Sequence, residues 1–209
     1  MNQREVNRKL LNQWIEMQKE LTTEQKKTLE KWFAGYGEKA EELYKIYKKI
    51  LECNEAEYIG QGISLPNAKW RQLLSGAIEL IQPILPLGSV VDLKKEKLQG
   101  KLPKLEQVER VRIVITQRFL SYTETGYFTY AGVVYPLGNM QGNQIIHFNP
   151  LMIQGLVKKG YEDEQDAAYV YLMKQEYVLQ KGMRNYEFAS EEETHQLIRV
   201  MEGMNVKRN

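Results

Sequence analysis

The chain reads as an α+β protein: an N-terminal helical region over residues 1–83, followed over 84–209 by a small antiparallel sheet or partial β-barrel with C-terminal helices. Three observations predict this. Apolar residues recur every three or four positions up to Gln82. Pro83 and Pro86 then end the helical pattern, and from Ser89 onward β-branched residues arrive with a period of two.

In the helical region, Val6, Leu10, Leu11, Trp14, Ile15 and Met17 or Gln18 fall on one face and predict a first amphipathic helix. Thr22 with Gln25 fits a capping box, in which a hydroxyl and an amide side chain each take up an exposed backbone N–H, so a second helix starts there. Its apolar stripe is Leu29, Trp32, Phe33 and Tyr36, and Gly35 and Gly37 mark a break or a close approach. Leu43, Ile46, Tyr47, Ile50 and Leu51 resume the stripe in a third helix. A loop through Gly60 and Gly62 follows. Pro66 then precedes a fourth apolar-periodic run of Trp70, Leu73, Leu74, Ala77, Ile78 and Ile81.

In the second region, Ser89–Leu93, Val108–Leu120 and Tyr127–Tyr135 read as strands, with a charged loop from Lys94 through Lys104 between the first two. Gly138 to Asn143 is rich in residues that accept positive φ and predicts a reversal into a fourth strand, Gln144–Phe148. Asn149-Pro150 then has the form of a helix start, with Leu151, Ile153, Leu156 and Val157 following before Gly160. The acids Glu162 to Asp166 open a helix through Tyr169, Leu172, Met173, Glu176 and Leu179. Ser190 with Glu193 forms a second capping box ahead of Leu197, Ile198 and Met201.

Composition narrows the functional classes. A 209-residue chain with 43% apolar and 27% charged residues is ordinary for a folded, water-soluble protein, and a formal charge of +2 does not point to nucleic acid. A single cysteine, Cys53, excludes an intrachain disulfide and suits a reducing compartment. The start has no signal-peptide core and no run has the length of a membrane span, so a cytoplasmic location is expected.

Side chains capable of chemistry are scattered. His147 and His195 lie in separate elements with no second ligand at metal spacing, and Glu162, Asp163, Glu164 and Asp166 stand where a helix N-terminus favours negative charge. No phosphate loop, nucleophile elbow or paired-carboxylate motif occurs, so the expectation is a non-enzyme with no catalytic residue, cofactor or metal. Aromatic residues are the better candidates. Trp14, Trp32, Phe33, Tyr36, Tyr44 and Tyr47 on the helices, with Tyr127, Tyr130 and Tyr135 on the sheet, are the candidate partner-binding residues. Tyrosines flanked by Lys94, Lys95, Lys97, Arg110, Arg112 and Arg118 are also what a single-strand nucleic-acid platform needs, but Glu106, Glu109 and Glu124 dilute the charge.

Four phrases carry a resemblance. Leu85-Pro-Leu-Gly-Ser-Val-Val91, Tyr130-Ala-Gly132 through Tyr135-Pro-Leu-Gly138, Phe148-Asn149 and Gly160-Tyr-Glu-Asp-Glu164 stand in this order between about Ile84 and Lys181. The segment resembles a bacterial domain family of uncharacterised function, encoded in Gram-positive bacteria beside LXG-type polymorphic toxins and small helical partners of the type VII secretion system. The resemblance implies an accessory protein, a chaperone or targeting adaptor for an LXG toxin, and supplies no catalytic residues. The helical region before Ile84 lies outside it.

The expected protein is therefore a non-enzymatic interaction protein whose partner is a toxin or its helical companion. An immunity protein that blocks a toxin is the first alternative, and a single-strand nucleic-acid-binding regulator the less favoured second. Self-association through the helices stays open.

Overall fold

The computed structural model describes residues 2–53, 57–97, 110–138 and 145–206. The chain divides into two compact units, one of residues 1–83 with 171–182 and one of residues 84–170 with 183–209.

The first unit is a helical cluster around α4 (Asn67–Ile81), whose residues from Leu73 to Ile81 are all buried, Ser75 and Glu79 among a majority of apolar side chains. Helices α1 (Gln3–Glu16) and α3 (Ala40–Glu52) pack on it, and α2 (Thr23–Phe33) packs on α1. The expected stripe of α1 is buried at Leu10, Leu11, Trp14 and Ile15. At its end Gln18 is buried and Met17 exposed, because the Gln18 amide donates to the Trp14 carbonyl at 2.9 Å. Trp14 lies across α4: its indole N–H donates to the Leu73 carbonyl at 3.0 Å, and a Cβ on Gly76 would strike its ring. The Thr22–Gln25 capping box is present in both directions. Gly35 and Gly37 end α2 in a single 3-10 turn, Ala34–Tyr36, and Asn7 reaches the Gly37 carbonyl at 2.6 Å.

The predicted loop through Gly60 and Gly62 is instead a tight antiparallel hairpin, β1 (Glu57–Gly60) with β2 (Ile63–Pro66). Gln61 and Gly62 both have positive φ, 55° and 76°, which is the type I′ geometry that matches strand twist. A glutamine at the first position disguised the turn.

Residues 171–182 complete this unit although they follow the sheet in the chain. Helix α5 (Glu164–Lys174) runs on as a π-helical stretch, Gln175–Gln180, that packs on α1 and α4 and buries Val178 and Leu179.

The second unit is a twisted sheet in the order β6-β5-β4-β3-β7, made of β3 (Val90–Leu93), β4 (Val111–Ser121), β5 (Gly126–Val134), β6 (Ile146–Phe148) and β7 (Ile153–Lys158). All these pairings are antiparallel, and β8 (Arg184–Asn185) adds a short parallel pairing to β5. Val91, Leu93, Val111, Ile113, Ile115, Tyr130, Ile146 and Phe148 form the core on one face. A bulge between Ile115 and Gln117 shifts the β4–β5 register, and Phe119 just beyond it adopts a φ of 55°, unusual for an aromatic side chain.

The helix expected after Asn149-Pro150 does not form. A 3-10 turn, Pro150–Met152, leads directly into β7. The Asn149 side chain does not cap: its Oδ1 accepts the Thr129 amide of β5 at 2.9 Å. Gly155 weakens a helix at that point, and the antiparallel edge of β3 takes up the backbone, with Leu93 opposite Ile153 and Val91 opposite Leu156. Apolar residues at 151, 153, 156 and 157 fit both periods, and the open strand edge decided between them. The Ser190–Glu193 box forms as expected and starts α6 (Glu191–Val206). The charged stretch 98–104 with Gly100 and Pro103, the strand start at Val108, the reversal over 139–143 with Gln144, and the basic end at 207–209 lie outside the described residues.

Candidate functional site

The recurring phrases of the second unit are occupied with holding the sheet together. In Leu85-Pro-Leu-Gly-Ser89, the Leu85 amide donates to the Tyr130 hydroxyl at 2.8 Å, and the Ser89 hydroxyl donates to the Pro86 carbonyl at 2.7 Å. Gly88 turns at φ 77° and donates to the Ile115 carbonyl, while Ile115 donates back to Ser89. The Gly160 amide donates to the Ser89 hydroxyl at 3.0 Å, and a Cβ on Gly160 would run into the Leu87 carbonyl. Thus the first phrase and the last meet at one point. Gly132 is equally constrained, because a Cβ there would strike the Val114 backbone. Tyr135-Pro136 is a cis peptide followed by a turn that closes with Gly138 donating to Val134.

Two of the three acids of Gly160-Tyr-Glu-Asp-Glu164, and Asp166 just beyond it, are also engaged. Asp163 accepts the Asp166 amide at 2.9 Å and so caps α5, and Glu162 pairs with Lys159 at 2.7 Å. Asp166 holds the Arg118 guanidinium through both oxygens, at 2.5 and 3.2 Å, with that guanidinium 5.1 Å from the centre of the Tyr169 ring. Arg118 is 5% exposed and fastens β4 to the first turns of α5. Among the described residues, no three His, Cys, Asp or Glu side chains gather as a metal site would require.

The nine aromatic candidates separate sharply. Trp14, Phe33, Tyr47, Tyr127 and Tyr130 are buried and belong to packing. Burial raises the Tyr130 hydroxyl pKa far above its ordinary value, so it serves as a neutral acceptor for the Leu85 amide. Trp32, Tyr36 and Tyr44 are half-buried, and Tyr135 is 54% exposed. Of the cations expected beside the sheet tyrosines, Lys94 donates to the Leu151 carbonyl, Arg112 pairs with Asp92 at 2.8 Å and Arg118 with Asp166.

Trp32 and Tyr36 occur together. Their rings meet edge to face at 5.5 Å, with Trp70 packed edge-on behind Trp32 at 5.9 Å, and they line an open cleft of about 560 Å³ on the first unit. Thr28, Lys31, Gly35, Lys39, Glu42 and Gln61 complete its walls. The cleft is aromatic below and mostly basic at its rim. Tyr44 lies on α3, stacked on Tyr47 at 6.1 Å under the Lys48 ammonium.

Two ionisable groups that motif reading passes over are held in unusual states. Lys174 is buried at the end of α5, donating to the Leu80 and Gln82 carbonyls at 2.8 and 2.7 Å, and desolvation pulls its pKa down to about 7. It stands four residues before Val178 and three after Tyr171, on an apolar stripe, and that position was its only signal. Glu187 lies over the β6–β7 turn, where Oε2 accepts the Leu151 amide at 3.4 Å and Oε1 is buried with no hydrogen-bond partner among the described residues. Burial pushes its pKa up to about 7, the Leu151 amide and the Lys94 charge opposing. His147, half-buried with Nε2 2.5 Å from the Tyr122 hydroxyl, is held below the ordinary imidazole value by burial and so is neutral at pH 7.

These internal roles bear on the comparison with known families. Residues 84–169 match the family model of a domain of unknown function, DUF4176. The matched DUF4176 segment runs from the strand-entry turn to the first turns of α5, so it contains all four phrases and the Arg118–Asp166 clamp. The helical region with the Trp32 cleft precedes it. No curated protein and no solved structure matches the chain. Among the described residues, no helix is long and apolar enough to cross a membrane.

Proposed function

We propose that this chain is a non-enzymatic accessory protein of type VII secretion, acting in the cytoplasm as a chaperone or targeting adaptor for an LXG-type toxin through protein–protein contacts. The observation that carries this reading is the open cleft over Trp32 and Tyr36. Tryptophan and tyrosine are enriched among the anchors of protein interfaces, and here two half-exposed rings of these types lie outside the segment whose recurring residues are spent on scaffold. The DUF4176 match supports the reading through the company that the resembling family keeps. A chaperone of this kind would cover an apolar client surface until export and gain its specificity from the helical unit.

Co-expression of the full chain with separate halves of a neighbouring LXG toxin tests it. Co-purification of the N-terminal LXG segment is the expected result. Capture of the toxic C-terminal domain alone would overturn the targeting role and favour an immunity factor or a dedicated chaperone, and capture of neither half would overturn the proposal.

A further inference from the structure

Thr28, Lys31, Trp32 and Gly35 stand at positions i, i+3, i+4 and i+7 and line one side of the aromatic cleft. They form a single stripe along α2 and the turn that ends it, about 10 Å long at 1.5 Å per residue, which is the length of two helical turns. The stripe has a shape. Gly35 has open space where a Cβ would stand, so an incoming side chain can lie directly on the backbone there, with Trp32 one turn before it and Tyr36 beside it.

The rim carries charge as well. Lys31 is exposed and has no acid within ion-pair distance among the described residues. Lys39 reaches Glu42 only at 3.8 Å, with both side chains more than half exposed. Helix α3 starts at this rim without a side-chain cap, but Glu41 and Glu42 in its first turn offset the positive end of its dipole, so the basic character of the rim rests on Lys31 and Lys39. The stripe is helical, so its backbone hydrogen bonds are already made within α2. It offers a ridge and a hollow to another helix, whereas an extended strand would need an open ladder edge.

Resting on the accessory-protein reading above, we propose that this cleft is a docking groove for an amphipathic helix of the client, which seats an apolar side chain over Gly35 against Trp32 and Tyr36 and sets a carboxylate opposite Lys31. Charge complementarity selects an acidic helix over a basic one, and the bare Gly35 backbone sets the depth of the anchor. The partner is thereby described by its chemistry: apolar residues at spacings of three and four, flanked by glutamate or aspartate.

The test uses the full-length protein and two helical peptides of about 16 residues, one with leucines at helical spacing and glutamates elsewhere, the other with lysine in place of every glutamate. Trp14 and Trp70 are buried, so the iodide-accessible tryptophan emission comes from Trp32 and reads binding directly. The acidic peptide is expected to bind and shield Trp32, and the lysine peptide to leave it open. Gly35→Leu, which fills open space and leaves the fold intact, should weaken the acidic peptide by at least about tenfold. Lys31→Glu combined with Lys39→Glu should transfer the preference to the lysine peptide. Equal binding of both peptides, absence of acidic-peptide binding, or undiminished binding to Gly35→Leu would each overturn the groove. If Gly35→Leu still captures the LXG segment at wild-type level, the groove fails while the adaptor reading stands; if the wild-type chain captures no client, the adaptor reading itself fails.

Discussion

Replacing Lys174 with methionine removes an ammonium that the first unit buries, while keeping a side chain of similar length. In the folded chain this group titrates at about 7 against an ordinary value of 10.5, because burial penalises its charged form. Between those two pH values the unfolded chain binds a proton that the folded chain does not, so stability rises with pH across the window from 7 to 10.5 and is flat below it. The difference corresponds to roughly 5 kcal/mol at 1.36 kcal/mol per pKa unit. Two carbonyl acceptors at the C-terminus of α4 hold the ammonium in place, and with the folded value at about 7 the expected rise has an upper limit of roughly 5 kcal/mol. All three tryptophans, Trp14, Trp32 and Trp70, lie in the first unit, so urea unfolding followed by tryptophan emission reads that unit specifically. The wild-type midpoint should climb between pH 7 and 10, and the climb should be absent in Lys174→Met. A variant that keeps the wild-type slope would refute the argument, whatever its stability at any single pH.

Glu187 makes the opposite prediction for the second unit. Its folded value of about 7 exceeds the ordinary 4.5, so the folded state holds the extra proton, and stability falls as pH rises from 4.5 to 7. Glu187→Gln should abolish that decline as read by amide exchange of β5 and β6 at pH 5 and 7.5; an unchanged decline would place its cause elsewhere. Arg118→Lys keeps the charge but loses the two-pronged grip on Asp166 and the contact with Tyr169, and should cost about 2 kcal/mol in thermal unfolding, with α5 amides exchanging first. Gly160→Ala should destabilise by about 2–3 kcal/mol, since its methyl group would enter the Leu87 carbonyl, whereas Gly155→Ala, which faces open space, should be nearly neutral; equal effects would contradict the close approach.

Much of the architecture was legible in the chain because local signals agreed with tertiary demands. Thr22 with Gln25 and Ser190 with Glu193 cap helices as their spacing implies. Legibility failed where two patterns fitted the same residues. Ile153, Leu156 and Val157 satisfy a helical stripe, but the open edge of β3, invisible in any local window, claimed them as a strand. Gln61 gave no turn signal, yet it accepts a left-handed conformation because Gly62 follows it in a two-residue reversal. Residues 171–182 carry a helical pattern that says nothing about which unit they join; the bonds from Lys174 to Leu80 and Gln82 decide that. For the candidate site, composition pointed to aromatics but could not separate core from surface. Trp14 and Tyr130 look like Trp32 and Tyr36 in sequence, and only burial distinguishes a ring that fills the interior from one that can meet a partner. The conspicuous phrases misdirect attention in the same way, since Ser89, Gly160 and Asp163 are spoken for by internal bonds.

Amide hydrogen exchange of the full chain, with and without the N-terminal segment of a neighbouring LXG toxin, tests the central claim most directly. A client helix seated in the cleft predicts new protection along residues 28–42, with the Leu85–Gly160 scaffold unchanged. Protection confined to residues 84–170, or none on either unit, would contradict a helical docking surface over Trp32 and Tyr36.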